Sequence, residues 1–231
     1  MYRIMAALCF CVGMATAVTA DDWPQWRGPG RDGIWSEQGV IDRFATSTLP
    51  VKWRVPVGPG YNGPTVAQGR VFVMDRVTEP REEERVLCLD AQTGTELWRH
   101  TYACTYKKVG YPAGPRAAVT VDGVCAFAFG AMANLSCLTV ADGKVVWEKD
   151  LLASYQAKTP IWGFASSPLV YKDLLIVQVG GAGGACLVAL NKLTGQEQWR
   201  ALDDKASYSS PIIIKQAGKE VLLCWTGNNV V

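Results

Sequence analysis

Histidine is almost missing from this sequence: His100 stands alone. Any Ser–His–Asp relay would have to run through it, and a multi-histidine metal site has no ligands to draw on. His100 follows Trp98-Arg99 at the end of an alternating stretch, which predicts an outer, exposed strand position rather than a reaction centre. The cysteines show no Cys-x-x-Cys, no adjacent pair and no Cys-x-x-Cys-His, so a c-type haem attachment is excluded and no disulfide pairing is prescribed. A surplus of one charge is also lacking, since 23 Lys and Arg face 21 Asp and Glu. Such a chain has no electrostatic footprint for nucleic acid or an anionic membrane surface.

Long hydrophobic runs are confined to the start. Arg3 supplies a short basic opening, Ile4 to Val18 is apolar and uncharged, and Val18-Thr19-Ala20 puts small residues before Asp21-Asp22. Residues 1–20 therefore read as a secretory signal peptide. The apolar run falls short of the roughly eighteen residues a spanning helix needs, so no membrane span is expected after cleavage. Cys9 follows Leu8 and Cys11 follows Phe10, which argues against lipidation at a cleavage site. The chain is expected to be exported, to the periplasm or cell envelope or beyond the cell.

What is present is a repeat. Cys88-Leu89-Asp90-Ala91-Gln92-Thr93-Gly94-Thr95-Glu96-Leu97-Trp98 is matched by Cys137 to Trp147 and by Ala189 to Trp199. In each copy a small residue, a glycine (Gly94, Gly143, Gly195) and a tryptophan (Trp98, Trp147, Trp199) keep the same offsets. Trp53, Trp98, Trp147 and Trp199 follow one another at intervals of 45, 49 and 52 residues. Between them the chain cycles through short β-rich runs separated by glycine, proline or Asx turns, four per cycle. A four-stranded meander repeated at that interval predicts an all-β protein, a β-propeller of antiparallel blades.

The shared residues have physical tasks. Glycine admits the positive φ of a tight turn between third and fourth strands, and Asp90 or Asn191 can hydrogen-bond the backbone there. The tryptophan is expected to lie flat on the neighbouring blade, with the small residue making room. Cys88 and Cys137 occupy the position of Ala189, so both read as small apolar residues in a tight buried site.

Ahead of the repeats, residues 21–52 hold two tryptophans among prolines and glycines, from Asp22-Trp23-Pro24 to Gly33. This composition predicts an irregular strap on an apolar surface. The propeller is expected over 53–231, with blades at about 61–102, 111–151 and 163–202 and an incomplete one at 207–231. Three and a half blades cannot close a ring, so the sequence is expected to be truncated and to belong to a ring of six to eight blades.

The pattern Asp90-x-x-Thr93-Gly94-x-x-x-Trp98 resembles the tryptophan-docking motif of the quinoprotein-like, pyrroloquinoline-quinone-type β-propellers. Asn191, Thr194-Gly195 and Trp199 match closely, and Thr139, Asp142-Gly143 and Trp147 form a degenerate copy. The resemblance covers nearly the whole chain after residue 20 and implies fold more than activity, because the motif is structural. Dehydrogenases of this superfamily hold their quinone with an adjacent cysteine pair, a calcium site and a catalytic aspartate. No Cys-Cys occurs here, and neither calcium ligands nor that aspartate map onto this sequence. No catalytic residue, metal or cofactor is therefore predicted; quinone with calcium belongs only to the alternative reading.

Chemistry on a propeller is expected at the mouth of the central channel, on loops entering the innermost strands. Aligning Pro64, Ala118, Pro168 and Pro211 puts Asn62, Arg116, Ser166 and Ser209 at one position, with Tyr61, Trp162 and Tyr208 nearby. This set offers hydrogen-bond donors and stacking surfaces, with Arg116 suited to a carboxylate. Serine and asparagine also begin strands simply because they suit turns. The leading reading is an exported, non-catalytic binding or scaffold propeller for a protein partner or small ligand. The alternatives are a quinone-dependent dehydrogenase incomplete in this chain, and an envelope scaffold like the outer-membrane assembly propeller.

Overall fold

The computed structural model describes residues 21–40, 42–44 and 46–231. The signal peptide expected over 1–20 lies outside the described residues. Among the described residues fourteen strands form four antiparallel sheets. The first holds β1 (Thr65–Ala67), β2 (Arg70–Val77), β3 (Glu83–Asp90) and β4 (Glu96–Ala103). The second holds β5 (Thr120–Asp122), β6 (Cys125–Phe129), β7 (Asn134–Thr139) and β8 (Val145–Asp150), followed by the single turn α1 (Leu151–Ser154). The third holds β9 (Leu169–Tyr171), β10 (Leu174–Gly181), β11 (Ala185–Asn191) and β12 (Glu197–Ala201), and the fourth is the hairpin β13 (Ile212–Gln216) and β14 (Lys219–Leu223). Within each sheet strands neighbour in chain order, the up-and-down meander of a propeller blade.

The core lies between blades rather than at one centre. Phe72, Met74 and Val86 of the first blade meet Val121, Ala126 and Leu138 of the second. Phe127 and Leu135 meet Leu175, Val177 and Val188 of the third. Both faces of a middle blade are thus covered, and every residue of β6 is buried. The outermost strand β8 keeps an exposed face.

The repeated motif explains how blades are fastened. Cys88, Cys137 and Ala189 stand directly opposite Trp98, Trp147 and Trp199 across the third and fourth strands. Each docked tryptophan then reaches into the next blade. Trp98 Nε1 donates to Val140 O (2.9 Å) and Trp147 Nε1 to Lys192 O (3.0 Å). Trp53 makes the same bond to Ala91 O (3.1 Å), although no strand of its own precedes it. The acceptor is always the residue after Asp90, Thr139 or Asn191. The ring lies on the glycine: a Cβ at Gly143 would stand 2.5 Å from Trp98, at Gly94 2.7 Å from Trp53 and at Gly195 2.8 Å from Trp147. All three glycines also have φ near +70°. Two independent constraints therefore demand glycine at each site.

The innermost strands are cross-linked by hydroxyls. Thr65 Oγ1 donates to Val119 O and Thr120 Oγ1 to Pro168 O, while Ala118 N donates to Ser167 Oγ and Ser167 N to Ser210 Oγ. The N-terminal strap runs across the same strands. Trp23 and Val66 exchange backbone hydrogen bonds, Val121 N donates to Pro24 O, and the Arg31 guanidinium donates to the carbonyls of Ser167 and Pro168. Arg31 is buried without a carboxylate; burial lowers its pKa to about 10, so it stays charged at neutral pH.

Candidate functional site

In a meander the loops alternate between two ends of the blade. The docking turns lie at one end, and the loops entering the innermost strands lie at the other, beside those joining second to third strands. All seven sequence-predicted site residues fall on this second, loop-rich end.

The cross-blade bonds correct the alignment of those residues. Thr65 and Thr120 play one role, as do Ala118, Ser167 and Ser210, so Asn62, Ala117, Ser166 and Ser209 are equivalent. Arg116 instead falls in line with Tyr61 and Tyr208. Sequence spacing alone sets the second blade one residue out, because it lacks the proline that opens the other inner strands. The expected ring of polar side chains is not formed. Asn62 brackets Met74, its Nδ2 donating to Met74 O (2.6 Å) and its Oδ1 accepting from Met74 N (3.1 Å). Ser166 is buried, with a hydroxyl that has no protein partner. Ser209 N donates to Ser207 Oγ, and Ser209 O accepts from Gln178. These three side chains or backbones shape loops.

The other four form two aromatic groups. On the first and second blades the Arg116 guanidinium lies over Tyr61 (5.1 Å) and Tyr106 (5.7 Å), and donates to the carbonyls of Gly110, Tyr111 and Gly114. Its fork is largely filled by its own loop, so it acts first as a loop organiser. Tyr106 is held from the other side by Arg76 at 4.0 Å. The Tyr106 hydroxyl donates to Glu84, as does that of Tyr102, and Ala131 N completes the set at 3.1 Å. Glu84 is fully buried and its carboxylate is partnered by three donors. Burial, then the Glu84 charge, pushes both phenols above their usual range, so they remain protonated donors. Sequence reasoning missed this network, because Glu84 lies within the charged run Arg81-Glu82-Glu83-Glu84-Arg85 and reads as part of a solvated stretch.

On the third and fourth blades Trp162 and Tyr208 stack at 5.0 Å with both rings exposed, and Trp162 N donates to the Tyr208 hydroxyl at 3.3 Å. Gln178, fully buried, fixes the surrounding loops. Its Nε2 donates to Ser209 O (2.9 Å) and Trp225 O (3.0 Å), and its Oε1 accepts from Ser207 N (3.0 Å). Every one of these bonds goes to a residue flanking or carrying an exposed aromatic, Tyr208 or Trp225. Gln178 and Trp225 were not anticipated, since a glutamine within Leu174–Gly181 looks like an ordinary strand residue. Tyr208, with Lys205 and Ala206, lines two clefts, one of about 680 Å³ and a second of about 410 Å³.

His100 is not exposed as expected. Its side chain is mostly covered at the junction of β4 and β8, where Nε2 lies 2.8 Å from Glu148 Oε1. It therefore bridges two blades through their outermost strands. Among the described residues the cysteines are buried free thiols, and desolvation raises Cys88 to about 12 and Cys186 and Cys224 to about 11. Among the described residues no three His, Cys, Asp or Glu side chains converge as metal ligands. Among the described residues, too, no helix is long and apolar enough to cross a membrane.

Comparison with known proteins adds the following. The family profile described as outer membrane protein assembly factor BamB matches residues 82–231. Among curated proteins no match is found. Among solved structures the chain is similar to the quinohemoprotein alcohol dehydrogenase from Comamonas testosteroni, with a TM-score of 0.59 and 19% identity over 80% of this chain. It is also similar to BamB from Moraxella catarrhalis, with a TM-score of 0.42 and 20% identity over 68% of this chain. The chain spans 28% of the length of the dehydrogenase and 41% of that of BamB. At these identities the likeness is one of fold.

Proposed function

The chain belongs to the PQQ-like repeat family described as outer membrane protein assembly factor BamB, and from that premise we propose that it is an exported, non-catalytic propeller module binding a partner protein or small ligand. The observation that carries this reading is the exposed Trp162–Tyr208 stack, held in place by buried hydrogen bonds beside two clefts. Large aromatic rings left in water are stabilised by covering them, and rigid presentation lowers the entropy lost on binding. Tyr61 and Arg116 extend the same end of the molecule toward the first blade, while Asn62, Ser166 and Ser209 shape the loops between. The repeated motif contributes nothing to this face, because its residues are consumed in blade docking. The strap over residues 21–52 and the blades over 53–231 form one binding unit in this reading. The family's description supports a place in the envelope or periplasm.

Two experiments test it. A photo-crosslinking amino acid at position 208 or 162 should capture a defined partner in the native envelope, whereas one at Gln198, exposed on an outer strand, should not. Equal labelling from both places would remove the loop end as the binding face. Pyrroloquinoline quinone and calcium added to the protein should give no dye-linked oxidation of alcohols or sugars. Sustained turnover would establish the dehydrogenase reading instead.

A further inference from the structure

We propose that the paired clefts sharing Tyr208 bind a neutral polyhydroxylated chain, an oligosaccharide, with Tyr208 and Trp225 as stacking platforms. This rests on the reading of the loop end as the binding face, and it names the ligand class. Tyr208 lines both clefts, together with Lys205 and Ala206, so the two compartments adjoin there. Trp225 lines the smaller one and is 63% exposed, while Trp162 backs the Tyr208 ring. Exposed aromatic rings lining a cleft offer apolar faces to apolar C–H surfaces of similar size, which a sugar ring carries on its two faces.

The polar groups select against other ligands. The larger cleft is lined by Lys158, Lys205, Asp203 and Asp204, two charges of each sign, so neither a polyanion nor a polycation is favoured. Among the described residues the side chains of Lys158, Lys205, Asp203 and Gln156 have no hydrogen-bond or ion-pair partner within the protein, so donors and acceptors are both available. A hydroxyl donates and accepts at once and can satisfy such a mixed set; an aliphatic ligand would leave it unpaired. Asp204 has a different task. Its carboxylate accepts from Thr226 Oγ1 (2.6 Å), Asn228 N (3.2 Å), Asn228 Nδ2 (2.5 Å) and Asn229 Nδ2 (3.0 Å), which fastens the loop after Trp225. Together Asp204 and Gln178 hold the two aromatic walls in one geometry before any ligand arrives. Such preorganisation suits a weakly hydrophobic, well hydrated ligand, whose binding leaves little free energy to order loops.

The test uses the full chain and unbranched neutral hexasaccharides of glucose and of N-acetylglucosamine, with oligogalacturonate of equal length as an anionic control. Calorimetric titration should detect binding of at least one neutral hexasaccharide at concentrations up to about 1 mM. Tyr208→Ala and Trp225→Ala should each weaken it by about tenfold or more, and Tyr208→Phe should retain it. Gln178→Leu, a change to a positioning residue, should weaken binding while Gln198→Ala, on the exposed outer strand β12, does not; thermal melts establish that each variant is folded. No binding of either neutral hexasaccharide overturns the proposal, as does affinity unchanged in folded Tyr208→Ala and Trp225→Ala. Tighter, salt-sensitive binding of oligogalacturonate overturns it in favour of charge recognition. A Tyr208-dependent protein crosslink without any oligosaccharide binding also overturns it, yet leaves the loop end as a binding face; quinone-dependent turnover would remove both.

Discussion

At the scale of single residues, the docking tryptophans do most to hold the molecule together. Trp98 is buried, packs against Phe72 with ring centroids 5.9 Å apart, and hydrogen-bonds the next blade through its indole nitrogen. Trp98→Ala should therefore cost about 3–5 kcal/mol in urea unfolding, as for other large buried aromatics. A loss below about 1 kcal/mol would mean that the indole does not fasten the blades. Gly143→Val should be at least as harmful, because the new side chain meets the Trp98 ring and the backbone is held at positive φ. The thiols make a complementary case. Burial, the largest influence on each of Cys88, Cys137 and Cys224, raises them above the usual thiol range, so they are protonated at neutral pH. The native protein should resist a maleimide reagent and become reactive only with the unfolding transition; rapid native labelling at Cys88 would contradict its packing role.

At the scale of elements, turn and strap are the informative pieces. Asp90 accepts from Gln92 N, Thr93 N and the Thr93 hydroxyl, and Asn191 accepts the same three bonds without a charge. Asp90→Asn should consequently fold normally, with a melting temperature close to the parent at pH 7. The strap behaves differently, since Arg31 bonds two carbonyls on the third blade from a segment whose Trp23 pairs with the first. Arg31→Ala leaves those carbonyls short of a donor and should cost about 1–3 kcal/mol. Hydrogen exchange should then rise along β9 before β2; uniform exchange would show that the strap braces no particular blade. The docking turns were legible in the sequence because every copy repeats the same local solution. The strap's course was not, because its contacts lie 136 residues away at Ser167 and leave no periodic trace.

For the whole molecule, acid sensitivity follows from its turn and loop carboxylates. Hydrogen bonds from Lys144 and Thr139 lower Asp142 to about 2, those from Thr93 lower Asp90, and those from Thr226 lower Asp204. A carboxylate depressed on folding contributes stability above its unfolded value near 4, and that contribution is lost as pH falls through the folded value. Stability should therefore be flat from neutral pH to about 5 and decline between about 4 and 2, with a shallower decline in Asp90→Asn. Urea titrations at each pH read this directly, and a decline beginning above pH 6 would point to another group. The sequence by itself determined the repeat, the four-stranded blades and the docking role of Gly94, Trp98 and their counterparts, since periodic spacing and turn chemistry are local properties. Only the tertiary structure decided which loop residues face water and which are consumed. Arg116 spends its fork on its own loop, Ser166 is buried, and Gln178 of β10 fixes Tyr208 and Trp225 across a blade boundary. Such choices depend on which groups from distant segments meet after the blades have packed, and no spacing along the chain encodes that.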